Sequence, residues 1–354
     1  MQSNLVKLLT FIVLVTCLYF VLKGALSDNQ KPAQTSEKAP QQIQINSKEK
    51  KALLHHAADS KSLLDYVDTC LEKTADSHSE LPQNVNLDTL KVEGSFFDVM
   101  SEPVLQGESK LTKLMAFYHN QPADELVALE IIRACAATPS LTACDSALFS
   151  NLTFSSSDAQ PWIYLASFHA ARGDREKVIQ AMDRAIQSDF YGNGFAERVS
   201  RLSDIIHQNT SESLYTAVVA ALGIEASNSV FPREIFSFCR ASSSDLYTAT
   251  LCHQLGQDMV LRGKTLALAG AGQSLTRMMR EVSEFHFPTH DNANSDAYES
   301  GDMQTIWPLM QYHDRLLLNW LTDLNAFGEK KAAREAIDSV RAQMMSDDFT
   351  HCAE

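Results

Sequence analysis

The chain has 354 residues, of which 45% are hydrophobic, enough to build one large or two ordinary globular domains. Its net charge of −14 comes with no basic, aromatic-rich stripe, and this argues against nucleic-acid binding because such a surface repels phosphate backbones. With only 13 glycines and 10 prolines, the chain favours helices with short connections over a many-stranded β architecture.

The most apolar part of the chain is an uncharged run at residues 8–22, between Lys7 and Lys23. Its length approaches the roughly 20 residues that a helix needs to cross a bilayer, and lysine side chains can reach the headgroups at either end. We predict a signal anchor or transmembrane helix over residues 1–27. A cleavable signal peptide ending near Ala25-Leu26-Ser27 is the alternative.

The composition changes twice after this run. Residues 28–47 are rich in Gln, Ser, Pro and Lys and contain few apolar groups, which predicts a flexible linker. Residues 48–107 combine apolar helical stripes with an irregular, proline-punctuated connection. We predict a small helical segment there, followed by the main domain over residues 108–354.

The main domain shows helical periodicity throughout, and no alternation long enough for a sheet. This pattern predicts an all-α fold. The predicted helices that follow residue 192 run over Phe195–Ile206, Ser213–Leu222, Leu246–Leu261, Leu266–Phe285, Ile306–Phe327 and Ala332–Met345.

One segment, Ala159–Gly192, resembles the tetratricopeptide repeat, a 34-residue helix–turn–helix unit. Trp162, Ala166 and Ala185 occupy its characteristic large and small positions, and Gly173 lies at its turn. The resemblance implies antiparallel helical hairpins stacked into a solenoid behind the N-terminal helix.

The match is specific over this segment and weaker elsewhere. Within it, Val178 replaces the usual small residue and Phe190 the usual proline. A last hairpin can be set over Asp314–Asp347, although Leu321 is bulkier than its position normally allows.

The cysteines outside the membrane run number six, an even number. Repeats set from Glu125 and from Ser229 place two cysteine pairs across from one another on neighbouring helices. The predicted disulfides are Cys135–Cys144 and Cys239–Cys252. Disulfides indicate an oxidising compartment, whereas the alternative is four buried free thiols. Cys70 and Cys352 could pair with each other, bridge two chains or remain free.

In the matched repeat, the resemblance implies a partner groove lined by Gln160, Ile163, Ser167 and Ala170. These residues are neutral and mildly apolar, and they lack the Lys and Asn residues of the carboxylate-clamp members of the family. An extended peptide or a partner helix is therefore the expected ligand.

We expect no cofactor, no metal and no enzymatic activity. Gly263-Lys264-Thr265 lacks the preceding glycine and strand of a phosphate-binding loop. Gly270-Ala271-Gly272 is better explained by close helix packing. The loop at residues 286–302 collects histidines and carboxylates, but without zinc or EF-hand spacing.

Together these patterns predict a membrane-tethered interaction scaffold in the cell envelope. Its helical domain would lie in the periplasm and bind a protein or peptide partner. Two alternatives remain open: an envelope enzyme with its site in the 286–302 loop, and a self-associating structural protein in which Cys70 or Cys352 links chains.

Overall fold

A computed structural model of the protein describes residues 63–72, 87–155, 157–192, 194–283, 285–287 and 302–345. The chain divides into two compact units, Met1–Leu54 and His55–Glu354, and every described residue belongs to the second. The predicted membrane helix at 1–27 and the predicted linker at 28–47 lie outside the described residues. Among the described residues, no helix is long and apolar enough to cross a membrane.

Over these ranges the fold is all-α, as predicted, with two isolated β-bridges and no strand. Short 3-10 helices cover Leu87–Leu90, Val104–Gln106 and Trp307–Gln311. The α-helices, in chain order, are α1 (63–72), α2 (Phe96–Ser101), α3 (Glu108–Asn120), α4 (Glu125–Ala137), α5 (Ser146–Ser150), α6 (Ala159–Ala171), α7 (Arg175–Gln187), α8 (Gly194–Asn209), α9 (Leu214–Ser227), α10 (Arg233–Ala241), α11 (Leu246–Arg262), α12 (Leu266–Val282), α13 (302–306), α14 (Asp314–Phe327) and α15 (Glu329–Met345).

Side-chain caps explain where several helices begin. Asp124, Asp174 and Asp245 lie immediately before α4, α7 and α11, and each carboxylate accepts a hydrogen bond from the backbone N–H three residues later. Such a cap satisfies one of the four N–H groups that the first helical turn leaves without a partner. At the α6–α7 turn, Gly173 has a φ of 72°, which favours glycine. The predicted helical hairpin at Ala159–Gly192 is therefore present.

Four helical hairpins make up most of the domain, namely α6–α7, α8–α9, α11–α12 and α14–α15. Hairpins that are close in the chain are not always close in space. The α7 helix packs against α11, α8 packs against α14, and α4 contacts both α6 and α8. The order of packing therefore differs from the order of the chain.

Backbone hydrogen bonds at Lys264 join the turns of the α11–α12 and α14–α15 hairpins to the connection between α7 and α8. Its N–H donates to the carbonyl of Tyr191 over 2.8 Å, and its carbonyl accepts from the N–H of Glu329 over 2.7 Å. Gly328, with a φ of 91°, leaves no room for a side chain, because an added Cβ would lie 2.4 Å from the carbonyl oxygen of Lys264. Gly263-Lys264-Thr265 thus connects two helices.

The α11–α12 crossing is close for a similar reason. A Cβ on Gly272 would lie 2.5 Å from the carbonyl oxygen of Gly256, so the two backbones nearly touch. The prediction of close packing at 270–272 is confirmed at Gly272, whereas Gly270 faces open space.

Several predicted helix bounds differ from those of the structure. The single helix predicted over Ile306–Phe327 is interrupted by the 3-10 helix containing Pro308 and by a break at Tyr312 and His313. The helix predicted over Leu266–Phe285 ends at Val282. The irregular stretch before residue 107 contains α2, whose Phe96, Phe97 and Val99 belong to the same hydrophobic core as the later helices.

Candidate functional site

The structure joins both predicted cysteine pairs. The Cα atoms of Cys135 and Cys144 are 5.7 Å apart, and those of Cys239 and Cys252 are 5.9 Å apart. All four cysteines are buried. Cys239 and Cys252 link α10 to α11 as predicted, but Cys144 lies in the loop after α4, because only the short α5 forms there. Cys70 is disulfide-bonded as well, and Cys352 lies outside the described residues.

The groove predicted on the matched repeat is not exposed. Gln160, Ile163 and Ser167 are buried, and Ala170 is half-buried. The reason is that α4 and α10 pack against α6 and cover the face on which these residues lie. A partner cannot reach them without displacing a helix.

The polar loop at 286–302 is mostly outside the described residues. Of its described members, Asp302 is buried and forms an ion pair with Arg341, with 2.7 Å between Oδ2 and Nη2. Within the described part of the chain, no group of three or more metal-ligating side chains occurs.

A different surface has the shape of a binding site, and we call it the hairpin groove. It runs along α14 and α15 and consists of two adjoining cavities of about 220 and 270 Å³. Both cavities share Asn319 of α14 and Ser339 of α15. The first continues to Arg315 and Gln343, and the second to Asp323 and Glu335. The lining residues of each helix are four positions apart, so they form one ridge per helix.

The two ridges run in opposite directions. Arg315 on α14 shares a cavity with Gln343 near the end of α15, whereas Asp323 shares one with Glu335 near its beginning. This register follows from the reversal at Gly328, which allows α15 to begin directly after α14 ends.

The floor of the hairpin groove is apolar, and residues from outside α14 and α15 line its first cavity. Leu316, Trp320 and Ala336 lie beneath the ridges and are buried. Trp320 is held by an edge-on contact with Trp307, with 5.1 Å between the ring centroids. Tyr66 of α1 and His313, which precedes α14, line the first cavity.

Charge is distributed unevenly along the hairpin groove. Arg315 lies at one end, and the carboxylates of Asp323 and Glu335 lie at the other. None of these three residues forms an ion pair with any residue that the structure describes. These charges are therefore stabilised by solvent and not by ion pairs within the described residues.

The charged residues of the core, in contrast, form ion pairs with one another. We call this set the buried charge cluster. Its members come from α3, α4, α8 and α9 and are all buried. They are Lys110, Glu130, Arg133, Arg198 and Glu225.

Ion pairs connect the members of the buried charge cluster. Arg198 contacts Glu225 through two hydrogen bonds, Nε to Oε1 at 2.8 Å and Nη2 to Oε2 at 2.9 Å. Arg133 Nη1 lies 2.7 Å from Glu130 Oε2, and Lys110 Nζ lies 3.6 Å from Glu130 Oε1. Arg133 also donates to the carbonyl of Asn228.

Burial and attraction act against each other in this cluster. Burial lowers the pKa of the Lys110 ammonium below its ordinary value, and the nearby Glu130 carboxylate offsets only part of this effect. Burial alone would raise the pKa of Glu130, but the attraction of Arg133, Lys110 and Arg198 outweighs it and holds this pKa below the ordinary value. The Glu130 carboxylate therefore stays ionised at neutral pH, whereas the pKa of Lys110 lies below the ordinary lysine value.

The two charged regions differ in what they can do. The buried charge cluster is closed to ligands because its members are buried in the core. The hairpin groove, in contrast, presents a guanidinium group, then amide and hydroxyl groups, and then a pair of carboxylates. The groove suits the binding of a polar, extended ligand. A sequence signal was present in the four-residue spacing of Arg315, Asn319 and Asp323, but it does not reveal which helix lies alongside.

Comparisons with protein-family models, with curated proteins and with solved structures find no match to this chain.

Proposed function

We propose that the protein is an interaction scaffold of the cell envelope, with a tetratricopeptide-like helical domain that binds a segment of a partner protein in the hairpin groove. The hairpin groove is the observation behind this proposal, because two rows of polar side chains line it above a buried apolar floor and its charges lack partners among the described residues. Its two rows carry a cation, an amide, a hydroxyl group and two carboxylates, a set of groups that suits the binding of a polar segment.

We also propose that the protein is tethered to the membrane by its N-terminal segment. The apolar run at residues 8–22 would hold the chain in the inner membrane, and the helical domain would lie in the periplasm. Two buried disulfides are compatible with an oxidising compartment. Tethering would raise the local concentration of the scaffold near other membrane proteins.

The compartment can be tested by thiol labelling of the protein in its native host. We expect Cys135, Cys144, Cys239 and Cys252 to resist alkylation under denaturing conditions until a reductant is added. Free thiols at these four positions would contradict the periplasmic assignment.

The groove can be tested by photo-crosslinking in native membranes. A benzophenone side chain at Asn319 lies in the hairpin groove, and the same group at Leu318 serves as the matched control, because Leu318 is 51% exposed but does not line either cavity. We expect one discrete adduct from position 319 and none from 318. The adduct should also disappear when Asp323→Asn and Glu335→Gln are added.

Equal adducts from both positions, or an adduct that survives neutralisation of the acidic end, would overturn the assignment of the hairpin groove as the binding site.

A further inference from the structure

The order of charges along the hairpin groove restricts what it can bind, given that it binds a protein segment as proposed. At one end Arg315 adds a positive charge, and at the other Asp323 and Glu335 line the same cavity. Two carboxylates that share a cavity repel one another, and a basic side chain between them would relieve that repulsion. The acidic end is therefore the stronger of the two anchoring positions.

The spacing of these ends matches an extended chain. Arg315 and Asp323 are eight residues apart on α14, which corresponds to about 12 Å along the helix axis at ~1.5 Å per residue. An extended segment rises by ~3.3 Å per residue, so four residues cover about 13 Å. Side chains at positions i, i+2 and i+4 also point to the same side of an extended segment.

The middle of the hairpin groove fits the rest of such a segment. Asn319 and Ser339 line both cavities. An amide and a hydroxyl group can donate to and accept from the peptide groups of a bound backbone. Beneath them lie Leu316, Trp320 and Ala336, which are buried, so the polar groups above them form most of the accessible surface.

From these observations we propose that the hairpin groove selects an extended segment with a basic residue and an acidic residue four positions apart. The basic side chain lies between Asp323 and Glu335, and the acidic side chain lies at Arg315. A C-terminal carboxylate is a second source of the same negative charge at the Arg315 end.

The test uses synthetic nine-residue peptides with capped ends, built from Gly, Ala and Ser. Each carries one lysine and one aspartate at a separation of two, four or six positions. One further peptide replaces the aspartate with a free C-terminal carboxylate four positions after the lysine. Binding to the full-length chain is measured by fluorescence anisotropy at low salt, where exposed ion pairs are least screened.

We expect the peptide with a separation of four to bind about fivefold or more tightly than the other two, since each exposed ion pair contributes up to a few-fold in affinity. The terminal-carboxylate peptide should match it if a chain end is the natural source and bind more weakly if an internal acid is. Affinity should fall as salt is raised.

A change in specificity provides the sharper test. In the variant Arg315→Glu, both ends of the hairpin groove are acidic, so this variant should prefer a peptide with two lysines four positions apart over the lysine–aspartate peptide. The wild type should show the reverse preference. Unfolding curves of the two proteins should coincide, because Arg315 is exposed and forms no ion pair with the described residues.

Two results would overturn the charge selection. The first is equal affinity at all three separations, and the second is an Arg315→Glu variant with unchanged preference. If position 319 still gives its crosslinked adduct in either case, the hairpin groove binds a partner and only the proposed selectivity is wrong. Absence of that adduct rejects the proposed function itself.

Discussion

The buried charge cluster and the hairpin groove contain the same kinds of side chain under opposite conditions. In the cluster, Arg198 and Glu225 are buried and meet through two hydrogen bonds. In the groove, Arg315 and Asp323 lie at opposite ends and neither forms an ion pair with a described residue.

The difference lies in what each charge contributes. Moving an ion from water into a protein interior costs several kcal/mol, so the members of the buried charge cluster tolerate burial only while all their partners are present. The cluster is therefore tolerated only when α3, α4, α8 and α9 pack in the observed arrangement. The groove charges remain solvated and impose no such condition, which leaves them available for recognition.

The largest effect should come from removing one partner in the core. We expect Arg198→Met to lower the free energy of unfolding by about 3–5 kcal/mol, because it leaves the buried Glu225 carboxylate with only the 3.9 Å contact to Arg133. Urea unfolding monitored by circular dichroism measures the loss. The double variant Arg198→Met/Glu225→Leu should recover part of it. If the Arg198→Met variant were as stable as the wild type, the charges of the cluster would not determine how the helices pack.

A smaller loss should follow from cutting the covalent link at the end of α4, the helix that carries Glu130 and Arg133. The Cys135–Cys144 bond closes a loop with a sequence separation of 9. Replacing both cysteines by alanine should cost ~2–3 kcal/mol, mainly because the unfolded chain gains freedom. The same measurement on the pair Cys239 and Cys252 serves as a control, with a similar expected loss. A pair of variants with unchanged stability would contradict a role for the bonds in the fold.

The buried charge cluster should also give the protein an alkaline pH dependence. Because burial lowers the pKa of Lys110 in the folded state, the unfolded state binds more protons as the pH approaches the ordinary lysine value. The contribution of Lys110 should therefore make the free energy of unfolding rise with pH, by at most ~1.4 kcal/mol per pH unit. The variant Lys110→Met should lack this contribution in urea unfolding at pH 7 to 10. Parallel curves for the two proteins would show that Lys110 is not perturbed.

The smallest effect on stability should come from the hairpin groove. We expect Asp323→Asn/Glu335→Gln to change the free energy of unfolding by no more than about 0.5 kcal/mol, in the stabilising direction, because it removes a repulsion between solvated charges. The same variant should lose the crosslinked adduct at position 319. As a matched change in the core, Glu225→Gln should cost several-fold more. If the groove variant had a much lower free energy of unfolding, the carboxylates of Asp323 and Glu335 would contribute to the stability of the fold.

Local features were predictable because they depend on neighbouring residues. The reversal at Gly173 follows from its own conformational freedom, and the caps at Asp174 and Asp245 satisfy backbone groups within one helical turn. The pairing of Cys239 with Cys252 likewise depends only on the register of two consecutive helices.

The candidate site was not predictable, because its environment depends on distant parts of the chain. Gln160 and Ile163 are buried by α4 and α10, and no local sequence pattern predicts that these helices pack there. The same holds for Glu130, whose burial requires the opposite charges of Lys110 on α3 and Arg198 on α8. The four-residue spacing of Arg315, Asn319 and Asp323 is visible in the sequence, but only the packing of α15 converts it into one side of a groove.

The position of α1 has a practical consequence for truncation experiments. Tyr66 and Cys70 of this helix line the same cavity as Arg315 and Gln343, although they come from the opposite end of the described chain. A shortened fragment beginning at residue 108, the predicted start of the main domain, would keep both ridges and lose part of one wall. Ligand affinities measured on such a fragment would then underestimate those of the intact protein, and useful fragments should begin before residue 63.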